Sequence, residues 1–208
     1  MARKKKGLLL VVSGPAGVGK GTVNAALMAK HPEIRMSVSA TTRAPRPGEI
    51  DGVHYFFRTK DEFDRMIEEN AFLEYVHVFG MNYYGTPKAF VEAERGKGNH
   101  VILEIDVQGA MKVKAACPDA VLVFIAPPSL RILKERLVGR GTETQESIDV
   151  RTKTALDELK MLPNYDYMVV NDVVDEAVAE MESILTAELC RTGRNTEQIS
   201  KLTGGETI

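Results

Sequence analysis

The sequence predicts an α/β fold, a parallel β-sheet core flanked by helices. Three observations carry this. Residues 8–12, 101–105, 121–125 and 168–170 are short, continuous apolar runs, the pattern of strands buried on both faces. Segments with helical spacing separate them. The length, 208 residues with 44% hydrophobic, fits one large domain, or one core carrying smaller insertions.

The elements can be justified in order. After the first strand, Val23, Leu27 and Met28 repeat at helical spacing. Leu130, Leu133 and Leu137 do the same, with Ser129 placed to cap them. Val174, Ala177, Val178, Met181, Leu185 and Leu189 stripe a last helix, with Asp172 as its expected cap. Two regions break the alternation. Residues 37–86 are rich in aromatic residues and alternating positions (Val53-His54-Tyr55-Phe56-Phe57, Tyr75-Val76-His77-Val78-Phe79), with a loop at Pro45, Pro47 and Gly48. They read as a small mixed or antiparallel insertion. Residues 131–154, with Gly139, Gly141 and a run of Thr and Glu, read as a mobile, charged excursion. The resulting division is a discontinuous core at 7–38, 87–130 and 155–190, an insertion at 39–86, the excursion at 131–154, and flexible termini at 1–6 and 191–208.

Composition excludes several classes. With 27 Lys+Arg against 29 Asp+Glu, the net charge of −2 argues against a nucleic-acid partner held by bulk charge. Arg3-Lys4-Lys5-Lys6 before five apolar residues imitates a secretory leader, but the run is too short and ends at Ser13-Gly14-Pro15. No window approaches a membrane span. Cys117 and Cys190 lack metal spacing and read as reduced thiols, so the expected location is cytoplasmic. His31, His54, His77 and His100 fall at equal intervals, but their flanks do not repeat.

Gly14-Pro15-Ala16-Gly17-Val18-Gly19-Lys20-Gly21-Thr22 sits between a buried strand and an amphipathic helix. Glycines let successive backbone N–H groups converge on an anion, and the helix N-terminus adds partial positive charge. Lys20 then reaches the outer phosphates. This places the core among P-loop NTPase folds. One position departs from the common pattern: Gly21 stands where a Ser or Thr hydroxyl usually ligates Mg²⁺, and Thr22 follows. The metal is then expected to rest on waters, nucleotide oxygens and a carboxylate, with Asp106 and Thr22 as candidates.

The insertion adds an acceptor side. Ser39-Ala40-Thr41-Thr42-Arg43-Ala44-Pro45-Arg46-Pro47-Gly48-Glu49 sets two arginines three apart on a Pro-stiffened segment, and guanidinium forks suit a terminal phosphate. Tyr55, Glu74 and Asn82-Tyr83-Tyr84-Gly85-Thr86 follow. From about residue 8 to 189 these motifs, with LEIDVQG, APPS, RLVGRGTET and VVND in the same order, resemble the guanylate kinase family of nucleoside monophosphate kinases.

The resemblance implies ATP as phosphoryl donor, GMP and dGMP as acceptors, and Mg²⁺ as cofactor. It implies that Arg43, Arg46, Tyr55 and Tyr84 hold the GMP phosphate, and that Ser39, Glu74 and Thr86 read the guanine beside Gly85. Asp106 would lie near acceptor and metal. Arg136, Arg140 and Arg151 would belong to a lid over the phosphates, acting with Lys20 and Arg43 in catalysis, and Asn171 would line the adenine pocket. The expected assembly is a monomer or simple homo-oligomer, with neither nucleic acid nor membrane as partner.

The residue types make chemical sense beside the resemblance. Guanine presents N1–H and an amine as adjacent donors, which one ionised carboxylate accepts; adenine's N1 lone pair would face that carboxylate instead. A phosphate monoester is already an anionic nucleophile near neutral pH, so the site needs positioning and positive charge rather than a general base. Two other readings are a non-catalytic guanylate-kinase-like interaction module and a kinase for another monophosphate.

Overall fold

The computed structural model describes residues 6–78, 81–138 and 145–204. Most of the N-terminal lead-in, the glycines of the charged excursion and the last four residues thus lie outside the described residues. The main sheet has five strands, all paired in parallel: β1 (Leu9–Ser13), β2 (Ile34–Met36), β7 (His100–Glu104), β8 (Val121–Ala126) and β9 (Tyr167–Val170). Their order is β2-β7-β1-β8-β9, so β1 lies at the centre. The alternation of side chains explains why its apolar run is unbroken. Leu8, Leu10 and Val12 pack towards α1 (Lys20–Lys30) and α7 (Val174–Cys190). Leu9 and Val11 pack towards α3 (Lys88–Gly96) and α4 (Val107–Ala116). Burying each such side chain contributes roughly 1.5–3 kcal/mol.

A second, mixed sheet joins β3 (Ala40–Thr41), β4 (Phe56–Phe57), β5 (Phe72–Val78) and β6 (Asn82–Pro87) in the order β4-β3-β6-β5. β5–β6 and β6–β3 are antiparallel, whereas β3 and β4 run parallel, because the arginine loop between them carries the chain back before it pairs. The sheet has its own small core, in which Phe63 of α2 (Lys60–Glu68) stacks on Phe72 at 4.4 Å and on Tyr83 at 5.3 Å. Thr59 and Glu62 close α2 with a reciprocal capping box. The β5–β6 register shifts between Phe72 and Glu74. That irregularity lets Phe72 enter the small core while Glu74, two residues on, faces Gly109 of α4.

The remaining helices are α5 (Leu130–Val138), α6 (Gln145–Leu159) and α8 (Thr196–Leu202). Ser129 caps α5 through its hydroxyl, which accepts from the Ile132 N–H at 3.2 Å. Three sequence expectations differ from what is observed. β9 is an edge strand, so of the apolar run only Val169 is buried, while Met168 and Val170 are exposed. Asp172 does not cap α7; Val173 holds the cap position without a side-chain bond, and the helix is fixed by Ala177, Val178 and Met181 in the core. The chain directly after Arg191 is not frayed. It forms a 3₁₀ turn and α8, and Arg194 donates from Nε (3.1 Å) and Nη2 (2.9 Å) to the fully buried Glu188 carboxylate. No described helix is long and apolar enough to cross a membrane.

Candidate active site

The glycine loop follows β1 and leads into α1. Gly14, Gly17 and Gly19 all have positive φ, and at two of them a side chain would also collide. A Cβ on Gly14 would sit 2.1 Å from the Ile125 carbonyl oxygen, and one on Gly19 would sit 2.5 Å from Nδ2 of Asn171. Gly19 ends the loop as the N-cap of α1, leaving the first N–H groups of the helix without a side-chain cap, as an anion site requires. Pro15, Val18 and Gly14 are buried, Ala16 is exposed, and the Val18 N–H donates to the Pro15 carbonyl at 3.3 Å.

Lys20 folds back on this loop, donating to the carbonyls of Gly14 (2.6 Å) and Pro15 (3.1 Å). Burial lowers its pKa, while the neighbouring carboxylates of Glu104 and Glu158 act to raise it. Thr22 is exposed on the first turn of α1.

Asn171 ties the loop to the helix beyond β8. It is buried, and its Nδ2 donates to the Val18 carbonyl at 2.8 Å. Its backbone carbonyl accepts from Nη1 of Arg136 at 2.8 Å, and its side-chain oxygen is buried without a partner among the described residues. An unmatched buried acceptor marks a place for a donor from outside the chain. Arg151 lies on α6, on the same stripe as Ala155, which is buried against the core of Val18, Leu133 and Leu137. Arg140, with Gly139 and Gly141, lies outside the described residues.

Between the two sheets lie two adjoining cavities of about 220 and 390 Å³, together within the roughly 300–1,000 Å³ range of small-molecule sites. Ser39, Tyr55, Glu104 and Ile105 line both. Glu74, Tyr84, Gly85 and Asp106 line the larger, and Thr86 the smaller. Glu74 is buried, and its Oε1 accepts from the Thr86 hydroxyl at 2.7 Å. Burial pushes its carboxyl above the ordinary range, against the opposing effect of that hydrogen bond. Gly85 is required by crowding: a Cβ there would lie 2.9 Å from Phe72 and 3.0 Å from the Glu74 carbonyl.

At the outer end of the cleft, the Arg43 guanidinium sits 5.4 Å from the Tyr55 ring centre, and Glu49, with Tyr84 adding to it, raises its pKa. Tyr55 and Tyr84 meet edge to face at 5.9 Å. Arg46 is exposed nearby.

Two carboxylates reach this region that the sequence reading does not single out. Glu104 ends β7, accepts from Nδ2 of the buried Asn24 at 2.9 Å, and approaches Gly21, whose added Cβ would lie 3.8 Å from Glu104 Oε2. Asp106, the residue favoured from sequence, caps α4 by accepting from the Gly109 N–H at 2.7 Å. Its Oδ1 is therefore engaged, and Glu104 is the one set against the loop. The signal for Glu104, an acidic residue ending an apolar strand, points equally to Asp106. Glu158 shares the Ala155 stripe of α6, and burial raises its carboxyl, with Lys20 opposing. It is hidden in a helix with no motif around it.

A sequence model of the guanylate kinase family matches residues 6–188. The chain belongs to the guanylate kinase family. The guanylate kinase of Caldanaerobacter subterraneus subsp. tengcongensis is 51% identical over 202 residues, covering 97% of this chain and 98% of that relative. That of Halalkalibacterium halodurans is 51% identical over 199 residues, covering 96% and 97%. The crystal structure of guanylate kinase from Anaplasma phagocytophilum superposes with a TM-score of 0.72 at 33% identity, covering 99% of both chains. The parallel sheet, glycine loop and second mixed sheet are thus those of a guanylate kinase, an enzyme class with GMP kinase activity.

Proposed function

We propose that the protein transfers the γ-phosphoryl group of ATP in line to a phosphate oxygen of GMP or dGMP, giving ADP and the diphosphate. One observation carries this reading: Glu104 approaches the phosphate loop at Gly21, where an added Cβ would lie 3.8 Å from its Oε2, and it lines the same cavity as Glu74. A donor phosphate on the loop and an acceptor base on Glu74 therefore open on one cleft.

In this reading Glu74 accepts both guanine donors, held by the Thr86 hydroxyl, with Ser39 beside it. Arg43, Arg46, Tyr55 and Tyr84 take the acceptor phosphate. The loop N–H groups from Gly14 to Thr22 and the Lys20 ammonium take the donor phosphates, and the free Asn171 oxygen accepts from the adenine amine. No general base is needed; the work is to bring two polyanions together. Arg136 and Arg151, with Arg140, supply charge from the lid, whose closure excludes water. Residues 39–86 act as the acceptor-binding unit and 131–154 as the lid.

The residues fit a hard cation held largely through water. Gly21 offers no hydroxyl next to Lys20, Thr22 is exposed, and no cluster of three ligating side chains exists among the described residues. Glu104, with Asp106 beyond it, supplies the oxygen chemistry that Mg²⁺ accepts. Mg²⁺ when bound would neutralise charge on the transferring phosphoryl group.

A coupled ADP-release assay with Mg·ATP and GMP, dGMP, AMP, UMP and TMP in turn tests the reading. Turnover confined to GMP and dGMP supports it. Turnover with another base removes the role given to Glu74. Binding of GMP without turnover by folded protein favours an interaction module.

A further inference from the structure

Glu49 makes more contacts than a loop carboxylate needs. Its Oε2 accepts from Arg43 Nη1 at 3.0 Å and its Oε1 from Arg43 Nη2 at 2.9 Å, a two-pronged pair. Oε2 also accepts from the backbone N–H of Arg46 at 2.7 Å. In return the Glu49 N–H donates to the Arg46 carbonyl at 3.0 Å, a turn closed by Gly48 in the left-handed region (φ 86°). The Arg43 and Glu49 side chains are only 16% and 18% exposed, in a stretch where residues 44–48 are all exposed. The arginine fork and the Arg46 N–H hold the Glu49 carboxyl down to about 2, so it stays ionised at any working pH.

The donor geometry gives this pair a direction. A guanidinium has five N–H groups, arranged as an end fork and a side fork. Glu49 takes the end fork of Arg43, and the Ala44 carbonyl accepts from Nη1 at 2.7 Å. What remains is the side fork, Nε–H with the second Nη2–H, and no other carboxylate pairs with it among the described residues. Tyr84, which lines the cleft, helps raise the pKa of the same guanidinium, and the Tyr55 ring centre lies 5.4 Å from it.

We propose that Glu49 is a positioning residue for the acceptor phosphate: it loads the end fork of Arg43, locks the Arg46 backbone to it, and so presents the side fork of Arg43 to the phosphate in one orientation. The inference rests on the reading that Arg43 binds the acceptor phosphate. It makes a prediction opposite to charge alone. Removing an acid beside two arginines raises the local positive potential, which would tighten binding of a dianion. Removing a buttress frees an arginine whose ordering must then come out of the binding energy, which weakens it.

The test is calorimetric titration of full-length Glu49→Gln and wild-type protein with GMP and with guanosine, which lacks the phosphate, alongside thermal unfolding. A second variant, Glu49→Asp, keeps the charge but withdraws it by one methylene, and so keeps the test decisive where Glu49→Gln fails to fold. The expected result is a loss of about 10-fold or more in GMP affinity, with guanosine affinity and ATP KM unchanged and Tm within about 2 °C of wild type. Glu49→Asp should fall between the two. GMP affinity unchanged or tighter in Glu49→Gln would overturn the proposal, leaving Glu49 as a placeholder that phosphate displaces. An equal loss for GMP and guanosine would assign it to general structure instead. Wild-type protein that binds GMP no better than guanosine would remove Arg43 as a phosphate ligand, and the underlying reading would fail before the variant is considered.

Discussion

The Thr86 hydroxyl donates to Oε1 of Glu74 at 2.7 Å, across a directly paired position of β5 and β6. The bond occupies one carboxylate oxygen and leaves the other, Oε2, facing Gly109, where an added Cβ would be 3.5 Å away. A carboxylate fixed this way is aimed, and burial makes its charge costly until a donor arrives.

GMP binding should therefore weaken on acidification sooner than an ordinary glutamate would allow. The folded carboxyl titrates above its unfolded value because of burial, so it is protonated, and unable to accept two donors, while exposed glutamates are still charged. By the same sign, its contribution to folding is complete below the unfolded value and is lost as pH rises through the folded one. A pH series of GMP affinity should show the acid-side weakening, and Glu74→Gln should flatten it while leaving ATP affinity intact. An unchanged pH profile in that variant would detach Glu74 from the base.

Lys20→Met should lower kcat by about 100-fold or more. The fold should survive, because the ammonium contributes two bonds to loop carbonyls, a net effect on the order of 1 kcal/mol. Single-turnover kinetics with circular dichroism separates the two effects.

Gly19→Ala combines a strained φ of 92° with a 2.5 Å approach to Asn171 Nδ2. A loss of about 1–3 kcal/mol in stability is expected, together with a raised ATP KM. Adding Asn171→Ala should relieve the collision but not the backbone strain, so chemical denaturation should show partial recovery.

Two histidines should tilt the pH–stability curve in opposite directions. His100 is buried and its Nδ1 accepts from the Leu8 N–H at 3.0 Å, which only the neutral ring can do; burial lowers its pKa. Its contribution is complete above the unfolded value of about 6.5 and is lost as pH falls through the lower folded value. His31 bonds Glu182 at 2.8 Å, which raises its pKa. Its contribution is present below about 6.5 and is lost as pH rises through the higher folded value. Urea midpoints from pH 5 to 8 should lose the acid-side slope in His100→Gln and the opposing slope in His31→Gln.

Arg194→Met should destabilise the protein by about 2–3 kcal/mol. It leaves the fully buried Glu188 with the Tyr167 hydroxyl (2.8 Å) and Arg191 (3.2 Å) as remaining partners. Thermal unfolding measures it; a shift near zero would make the ordered tail incidental.

The central strands are legible in the sequence because both faces of β1, β7 and β8 are covered, so burial alone writes an apolar run. The glycine loop is legible for steric reasons that permit no substitute at Gly14 or Gly19. β2 escapes such a reading because it is three residues long with Arg35 in the middle, and the edge position of β9 cannot be read from its composition. The tail reads as frayed because its order depends on the ion pair between Arg194 and Glu188 rather than on an apolar stripe. Glu49 and Glu104 are hidden for a related reason. A charged residue in a loop or at a strand end carries no periodicity, and its importance appears only once Arg43, or the phosphate loop at Gly21, is beside it.

The pairing of β1 has a consequence for the order in which the molecule acquires its shape. Leu9 pairs with Val101 and Leu10 with Val121, so the strand that carries the phosphate loop has no sheet partner until about half of the chain exists. The β5–β6 hairpin, by contrast, closes over a short span, from Val78 to Asn82 at its nearest pair. Distant pairings pay loop-closure entropy before they gain contacts and so form slowly. The nucleotide loop, written near the start of the chain, thus gains its sheet partner during synthesis only after the hairpin that carries Glu74 and Thr86 has emerged.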